Sequence, residues 1–214
     1  MSVSEFVEGP LWYFSVAVFV VGVLWRLLVM LSRGYQKNYS EPRASAIAGA
    51  IGTNITRFVP HKQFMPRIKL TVYAGYLFHV GLFALLIFAA PHMEFLRDHV
   101  VGFEWVVMPH WLFLITAEMA FIGLLILWLH RIMHPVTRMI TTKGDHLASI
   151  LTFIVMLTGC LALARSYESL RILHLFSCEL LLIYFPFSML MHTFTVFFSR
   201  GYMGAHFGRR GVNI

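Results

Sequence analysis

Five long apolar runs constrain the fold of this chain more than any other feature of its sequence. They cover about residues 10–31, 69–90, 108–130, 146–164 and 171–199. A bilayer core about 30 Å thick is crossed by about 20 apolar residues of α-helix, and lipid offers no partner to an unpaired backbone group. The sequence therefore predicts an all-α integral membrane bundle of five transmembrane helices.

The composition agrees with a small membrane protein. The chain has 214 residues, of which 58% are hydrophobic and 13% are charged. We expect a single membrane domain over residues 1–214, with a polar loop at 32–67. The first run is too long for a signal-peptide core and lacks a basic start, so it is predicted to be retained. Cys160 and Cys178 form no Cys-x-x-Cys motif, so neither an iron–sulfur cluster nor c-type haem attachment is expected in this chain.

Lysine and arginine are distributed unevenly between the two sides of the predicted bundle. The loops after the first and third runs and the C-terminal tail hold 13 of the 17 Lys and Arg residues. The opposite side has Arg97, Arg165 and Arg171. The positive-inside rule therefore predicts an external N-terminus and a cytoplasmic C-terminus. Residues 40–52, which are too polar to span, are predicted to form a short interfacial helix or a partner-docking segment.

The fifth run contains two histidines, His174 and His192. Eighteen residues make five whole turns of an α-helix, which would place both imidazoles on one face about 27 Å apart. An imidazole in a membrane is costly unless it has a partner inside the bundle. The spacing predicts one axial ligand for each of two haems near opposite membrane surfaces. The alternative is a pair of histidines that are hydrogen-bonded to their neighbours.

A second ligand for the inner haem is predicted in the second run. His79 lies ten residues beyond Lys69, or about 15 Å from the cytoplasmic surface. His192 lies eight residues before Arg200, or about 12 Å from the same surface. The matching depths predict that His79 and His192 bind one iron.

The histidines predicted to bind the outer haem agree in depth but not in rotation. His92 matches His174 in depth, but thirteen residues of ideal helix rotate it by about 220° from His79. Pro91 is expected to bend or rewind the helix and so correct this rotation. His92 is the proposed mate of His174, and His110 at the start of the third run is its rival.

Two further residues are predicted to act on a quinone. Glu179 is a carboxyl at membrane depth near the proposed outer haem, and Arg97 is the nearest cation by depth on that side. The alternative for Glu179 is a protonated, hydrogen-bonded carboxyl or a partner for Arg171. Glu118 in the third run is a weaker candidate.

Several segments resemble a known family of membrane cytochromes. These are His-x17-His with LIYFPFSMLMH in the fifth run, the pair Gly144–Asp145, and LFHVG around His79. They resemble the gamma subunit of respiratory nitrate reductase and its relatives, which are the cytochrome b subunits of sulfate-reducer transmembrane redox complexes and of heterodisulfide reductase. The resemblance implies two b haems between the second and fifth helices, with a quinone site near the outer haem.

The match to that family departs at one ligand. The nitrate reductase subunit separates its two second-helix ligands by ten residues, and the residue ten positions beyond His79 is Ala89, which cannot ligate iron. Either His92 takes this role, or the outer haem is ligated differently or is missing.

These observations predict a di-haem cytochrome b subunit in the inner (cytoplasmic) membrane of a prokaryote. It would carry electrons between menaquinone or ubiquinone and partner subunits, namely a cytoplasmic iron–sulfur protein or an extracytoplasmic multihaem cytochrome. We expect a subunit surrounded by lipid and without nucleic-acid partners, not a self-contained enzyme. The alternative is a haem-free or single-haem membrane anchor.

Overall fold

The computed structural model describes residues 1–34, 39–164 and 167–212. Within these ranges the chain is helical and contains no β-strand. Five of the described helices are long and apolar enough to cross a membrane, which confirms the predicted all-α fold with five spans. Lys37 and Arg165, which contribute to the charge asymmetry, lie outside the described residues.

The helices follow the apolar runs closely. They are α1 Val3–Ser32, α2 Ala46–Thr56, α3 Met65–Phe88, α4 Ala90–Leu96, α5 His110–Met133, α6 Pro135–Ile140, α7 Lys143–Ala164, α8 Glu168–Tyr184 and α9 His192–Arg209. The spans are α1, α3, α5, α7 and Glu168–Phe187. The chain divides into two compact units, one combining the residues up to Pro66 with those from Glu179 onward, the other running from Arg67 to Cys178.

The unit from Arg67 to Cys178 is packed through small residues. A Cβ added to Gly81 of α3 would lie 2.9 Å from the Cβ of Ala120 in α5, and one added to Gly123 would meet the backbone of Phe78. Such close approach is how membrane helices gain van der Waals contact where lipid is as apolar as the side chains. The buried core is formed by Phe78, Leu85, Ala117, Ala120, Leu124 and Met156.

In the other unit, α2 lies directly against α9. Ser45 begins α2 by accepting a hydrogen bond from the Ala48 amide at 3.2 Å. A Cβ added to Gly49 would overlap the carbonyl oxygen of Gly204 and lie 2.9 Å from the Cα of Gly208. The segment at 40–52 thus contributes a short helix, as predicted, and its interfacial or docking role stays a prediction.

We expect Gly49→Ala to destabilise the protein and Gly52→Ala to leave it as stable or more stable. A methyl group at Gly49 has no space against α9, and overpacking of this kind costs about 1–3 kcal/mol in the free energy of unfolding. Gly52, in the same helix, has open space around it, so alanine adds only helix propensity, up to about 1 kcal/mol. Thermal unfolding in detergent, followed by far-UV circular dichroism, measures both. Equal shifts in the two variants would contradict this packing.

The fifth predicted span is broken. Helix α8 ends at Tyr184 and is followed by two single 3₁₀ turns, Phe185–Phe187 and Met189–Met191. Pro186 lacks the amide hydrogen that a continuous helix requires. Ser188 between the turns is extended (φ −110°, ψ 176°), and its hydroxyl accepts a hydrogen bond from the next turn. The chain therefore starts a new helix, α9, at His192.

The prediction of one helix through residues 171–199 is therefore wrong. His174 lies in α8 and His192 is the first residue of α9. Because the helix does not continue between them, the argument from five whole turns does not apply. Any common role of the two histidines needs support other than helical periodicity.

Candidate functional site

The position of His92 is set by a break between α3 and α4. Helix α3 ends at Phe88, Ala89 is extended (φ −69°, ψ 137°), and α4 begins at the next residue. Pro91 in the first turn of α4 has no amide hydrogen to donate back into α3. The bend expected at Pro91 is a full break, because Ala89 is extended, and the rotation computed for an unbroken helix does not apply to His92.

The carbonyl groups freed by the break have partners in the loop that follows α4. The Trp105 indole N–H donates to the Ile87 carbonyl oxygen at 2.8 Å. The Met108 amide donates to the Phe88 carbonyl oxygen at 2.9 Å. Backbone groups inside a membrane protein need such partners, since lipid supplies none. The loop therefore stabilises the break that orients α4.

The His92 ring is fixed by a hydrogen bond to α3. Its Nδ1 lies 3.0 Å from the Leu85 carbonyl oxygen. A carbonyl oxygen only accepts, so Nδ1 carries the hydrogen, and Nε2 keeps the lone pair that binds a metal. This arrangement is typical of metal-binding histidines, whose other ring nitrogen donates to a carbonyl or carboxylate.

The structure brings His92 and His174 together. Their ring centroids are 6.1 Å apart and their planes differ by 28°. A metal held by two imidazoles at about 2.0 Å each separates the ring centres by about 6 Å. The rival His110 is exposed at the start of α5, where it stacks on Phe113 with centroids 6.5 Å apart. The rings of His92 and His174 are therefore stacked neighbours whose separation is close to the value for a shared metal.

Helix α7 provides the surroundings of His174, which the sequence analysis did not identify. The Thr158 hydroxyl oxygen lies 3.2 Å from Nδ1 of His174, and the sulfur of Cys178 lies 3.6 Å from Nε2. A Cβ added to Gly159 would lie 2.9 Å from Cε1 of the ring. A Thr–Gly pair inside an apolar run is a sequence signal of close helix approach, and it could have indicated this position.

The histidines of the predicted inner pair have the same local bonding as His92. Nδ1 of His79 lies 2.7 Å from the Gly75 carbonyl oxygen, and Nδ1 of His192 lies 2.8 Å from the Met189 carbonyl oxygen. In the neutral form of each ring the hydrogen therefore lies on Nδ1. His99 makes a similar bond, so the pattern sets the tautomer without identifying a ligand. His79 and His192 belong to different units, and their pairing stays a prediction.

Glu179 is buried, with 2% of its surface exposed. Its Oε2 has no hydrogen-bond partner among the residues that the structure describes. Burying a carboxyl oxygen without a partner is costly, so such a group is a candidate for binding a ligand or exchanging a proton. Arg171, the alternative partner considered for Glu179, makes an ion pair with Glu168 at 2.6 Å.

Arg97 lies outside the spans and is paired with two carboxylates. It donates to Asp98 at 2.7 Å and to Glu104 at 2.6 Å. These bonds, first the one to Asp98, raise the pKa of the Arg97 guanidinium above its ordinary value. The same contact lowers the pKa of the Asp98 carboxyl. A ligand of Arg97 would have to compete with both carboxylates.

The site suits a metal that brings most of its own ligands. Within residues 1–34, 39–164 and 167–212, no group of three or more His, Cys, Asp or Glu side chains is placed to hold a metal ion. Two imidazoles alone do not complete a zinc site, which uses three or four protein ligands. A haem needs no more than two ligands from its protein, because the porphyrin supplies the remaining nitrogens.

Comparison with known proteins gives two relatives of nearly full length. No family model matches the chain, and no solved structure matches it. One relative is an Archaeoglobus fulgidus protein named Hdr-like menaquinol oxidoreductase cytochrome b-like subunit. The two sequences are 24% identical over an alignment of 270 residues, which covers 94% of this chain and 80% of that relative. It is 30% identical over 216 residues to a Nitratidesulfovibrio vulgaris protein named only "Protein", with 96% of this chain and 94% of that relative covered. The chain therefore belongs to the same family as the N. vulgaris protein.

Proposed function

We propose that this protein is a cytochrome b-like subunit of a membrane-bound, quinone-linked redox complex. The five spans and the likeness to the A. fulgidus subunit support this reading. That relative belongs to the heterodisulfide-reductase side of the family suggested by the sequence motifs. A nitrate reductase gamma-like identity has no comparable support.

The pair His92–His174 carries the proposal. A haem held there would supply one-electron redox chemistry. The chain would bind it through two ring nitrogens and keep the His92 ring oriented through the Leu85 carbonyl group. Low polarity and second-shell hydrogen bonds are the means by which a protein sets a haem potential.

A second haem b is proposed between His79 and His192. The matching depths of the two histidines in the sequence support this pair, and in each of them Nδ1 lies within hydrogen-bond distance of a carbonyl oxygen of its own segment. The break after Tyr184 removes the periodicity argument for a di-haem chain. A single-haem subunit, held by His92 and His174, is therefore the second candidate.

The proposed quinone site involves Glu179 first and Arg97 second. Quinone reduction takes up protons, and Glu179 is a buried carboxyl with an oxygen that lacks a described partner. Arg97 already has two carboxylate partners. Menaquinone and ubiquinone are both possible substrates by chemistry, and the name of the A. fulgidus relative makes menaquinone the first to test.

The chain is proposed to act as one membrane domain in the inner membrane of a prokaryote. Its partners would be a cytoplasmic iron–sulfur subunit and an extracytoplasmic multihaem cytochrome, because the A. fulgidus relative is named as a subunit of a menaquinol oxidoreductase. The N-terminus is proposed to be external. Cysteines placed at Ser40 and Val101 should then react with an impermeant maleimide from opposite sides of sealed vesicles. Labelling from the same side would refute five spans in this orientation.

The experiment that tests the function is a haem count on the purified chain. A pyridine haemochrome assay and a reduced-minus-oxidised spectrum should show b-type haem at two per chain. One haem per chain would select the single-haem candidate. Absence of haem from protein purified from haem-replete cells would refute the proposal and leave a haem-free anchor.

A further inference from the structure

We propose that Thr158 is a positioning residue for His174. Its hydroxyl holds the His174 ring and increases electron donation from Nε2 of that ring to a bound metal. The inference rests on the proposed function, since it assumes that His174 is a ligand. Thr158 belongs to α7 and His174 to α8, so the contact joins two helices of the same unit.

The hydrogens that the two side chains carry indicate which of them donates in this contact. The Thr158 hydroxyl oxygen lies 2.9 Å from the Ile154 carbonyl oxygen and 3.2 Å from Nδ1 of His174. When Nε2 of a neutral imidazole binds a metal, Nδ1 carries the hydrogen and must donate it. The Thr158 hydroxyl has one hydrogen, which the Ile154 and Val155 carbonyl oxygens at 2.9 and 3.1 Å can accept, so a lone pair of Thr158 is available to accept from His174.

A second hydroxyl closes the arrangement. Ser177 donates to the His174 carbonyl oxygen at 2.8 Å, and its oxygen lies 2.9 Å from that of Thr158. Thr158 and Ser177 are 6% and 5% exposed, so water does not compete for these bonds. Gly159 lies against the ring, so α7 limits both the rotation of the imidazole and its distance from this helix.

The chemical consequence is a change in the strength of the ligand. An acceptor at Nδ1–H makes Nε2 more basic, which favours the oxidised metal and tightens binding. Loss of the acceptor should raise the midpoint potential of the haem bound by His174. If the bond favours the oxidised form tenfold, the shift is about 59 mV for a one-electron couple.

The test compares Thr158→Val with Thr158→Ser in the full-length, haem-loaded protein. Valine keeps the shape and removes the hydroxyl, whereas serine keeps it. In the valine variant we expect one potential to become more positive and haem affinity to fall about 10- to 100-fold. The serine variant should resemble the wild type. Spectroelectrochemical titration gives the potentials, and haem per chain after detergent washing gives retention.

Thr152 offers a matched control in the same helix. It is also buried, and its hydroxyl donates to the Ala148 carbonyl oxygen at 2.8 Å, as Thr158 does to Ile154. Thr152→Val should leave the potentials and haem retention unchanged. If Thr158→Val does not accumulate in membranes, Thr158→Ala carries the same expectation with a smaller side chain.

Three results would overturn the inference. They are unchanged potentials and haem retention in the Thr158 variants, equal shifts in Thr158→Val and Thr152→Val, and failure of Thr158→Ser to restore wild-type behaviour. Wild-type protein without haem would refute the proposed function itself. A haem-containing wild type that is insensitive to Thr158 would refute only this inference.

Discussion

Replacing His92 with alanine is expected to remove one haem per chain while the protein stays inserted in the membrane. The variant loses one of the two proposed haem ligands, and the five apolar spans that drive insertion are unchanged. Quinone-linked electron transfer should be lost with that haem, and any second haem should be retained. Haemochrome assays on detergent-purified protein, normalised to chain concentration, measure the change.

His110→Ala is the matched control for this loss. His110 was the rival ligand, but it lies exposed at the start of α5 and stacks on Phe113. Its replacement should keep the wild-type haem content. If His92→Ala keeps the full content and His110→Ala loses one haem, the third apolar run supplies the ligand and the pairing proposed here is wrong.

Replacement of His192 with alanine should remove the other haem and leave the one bound by His92 and His174. His192 begins α9, with Nδ1 bonded to the Met189 carbonyl group, so alanine removes an exposed ring with little cost in packing. The remaining haem should keep its wild-type midpoint potential. His79→Ala should give the same haem content, because both side chains are proposed to hold one iron.

Two outcomes contradict the second pair. Full haem content in His192→Ala would remove this residue from the ligand set. If the wild type holds one haem and both His79→Ala and His192→Ala retain it, the chain is a single-haem subunit. Electron transfer across the whole membrane would then require haems or clusters of partner subunits.

The number of spans was predictable because hydropathy reports the cost of exposing polar groups to lipid, whatever the packing of the helices. The same signal does not detect a break inside an apolar segment. Pro91 and Pro186 both interrupt apolar runs; a bend was expected at the first, whereas no irregularity was expected at the second. At the second, Ser188 terminates one turn and begins the next, and a hydroxyl in an apolar run is also common in continuous helices.

The candidate site was predictable in its residue types and only partly in its geometry. Depth along a helix follows from the rise per residue, so His92 could be matched to His174 from the sequence alone. The direction of the ring depends on one extended residue, Ala89, and on loop contacts from Trp105, which no periodicity describes. Thr158 was missed because the Thr158–Gly159 pair signals a close helix approach without showing which helix it faces.

The contact of α2 with α9 has a consequence for biosynthesis. The Arg43 amide donates to the Arg209 carbonyl oxygen at 2.8 Å, which joins the first cytoplasm-directed loop of the proposed topology to the last helix of the chain. During translation, α2 leaves the ribosome long before residues 192–209 exist. Contacts between such distant parts of a chain are slow to form and leave surfaces transiently exposed. The surface of α2 around Gly49 can therefore meet its partner only after residues 192–209 have been synthesised.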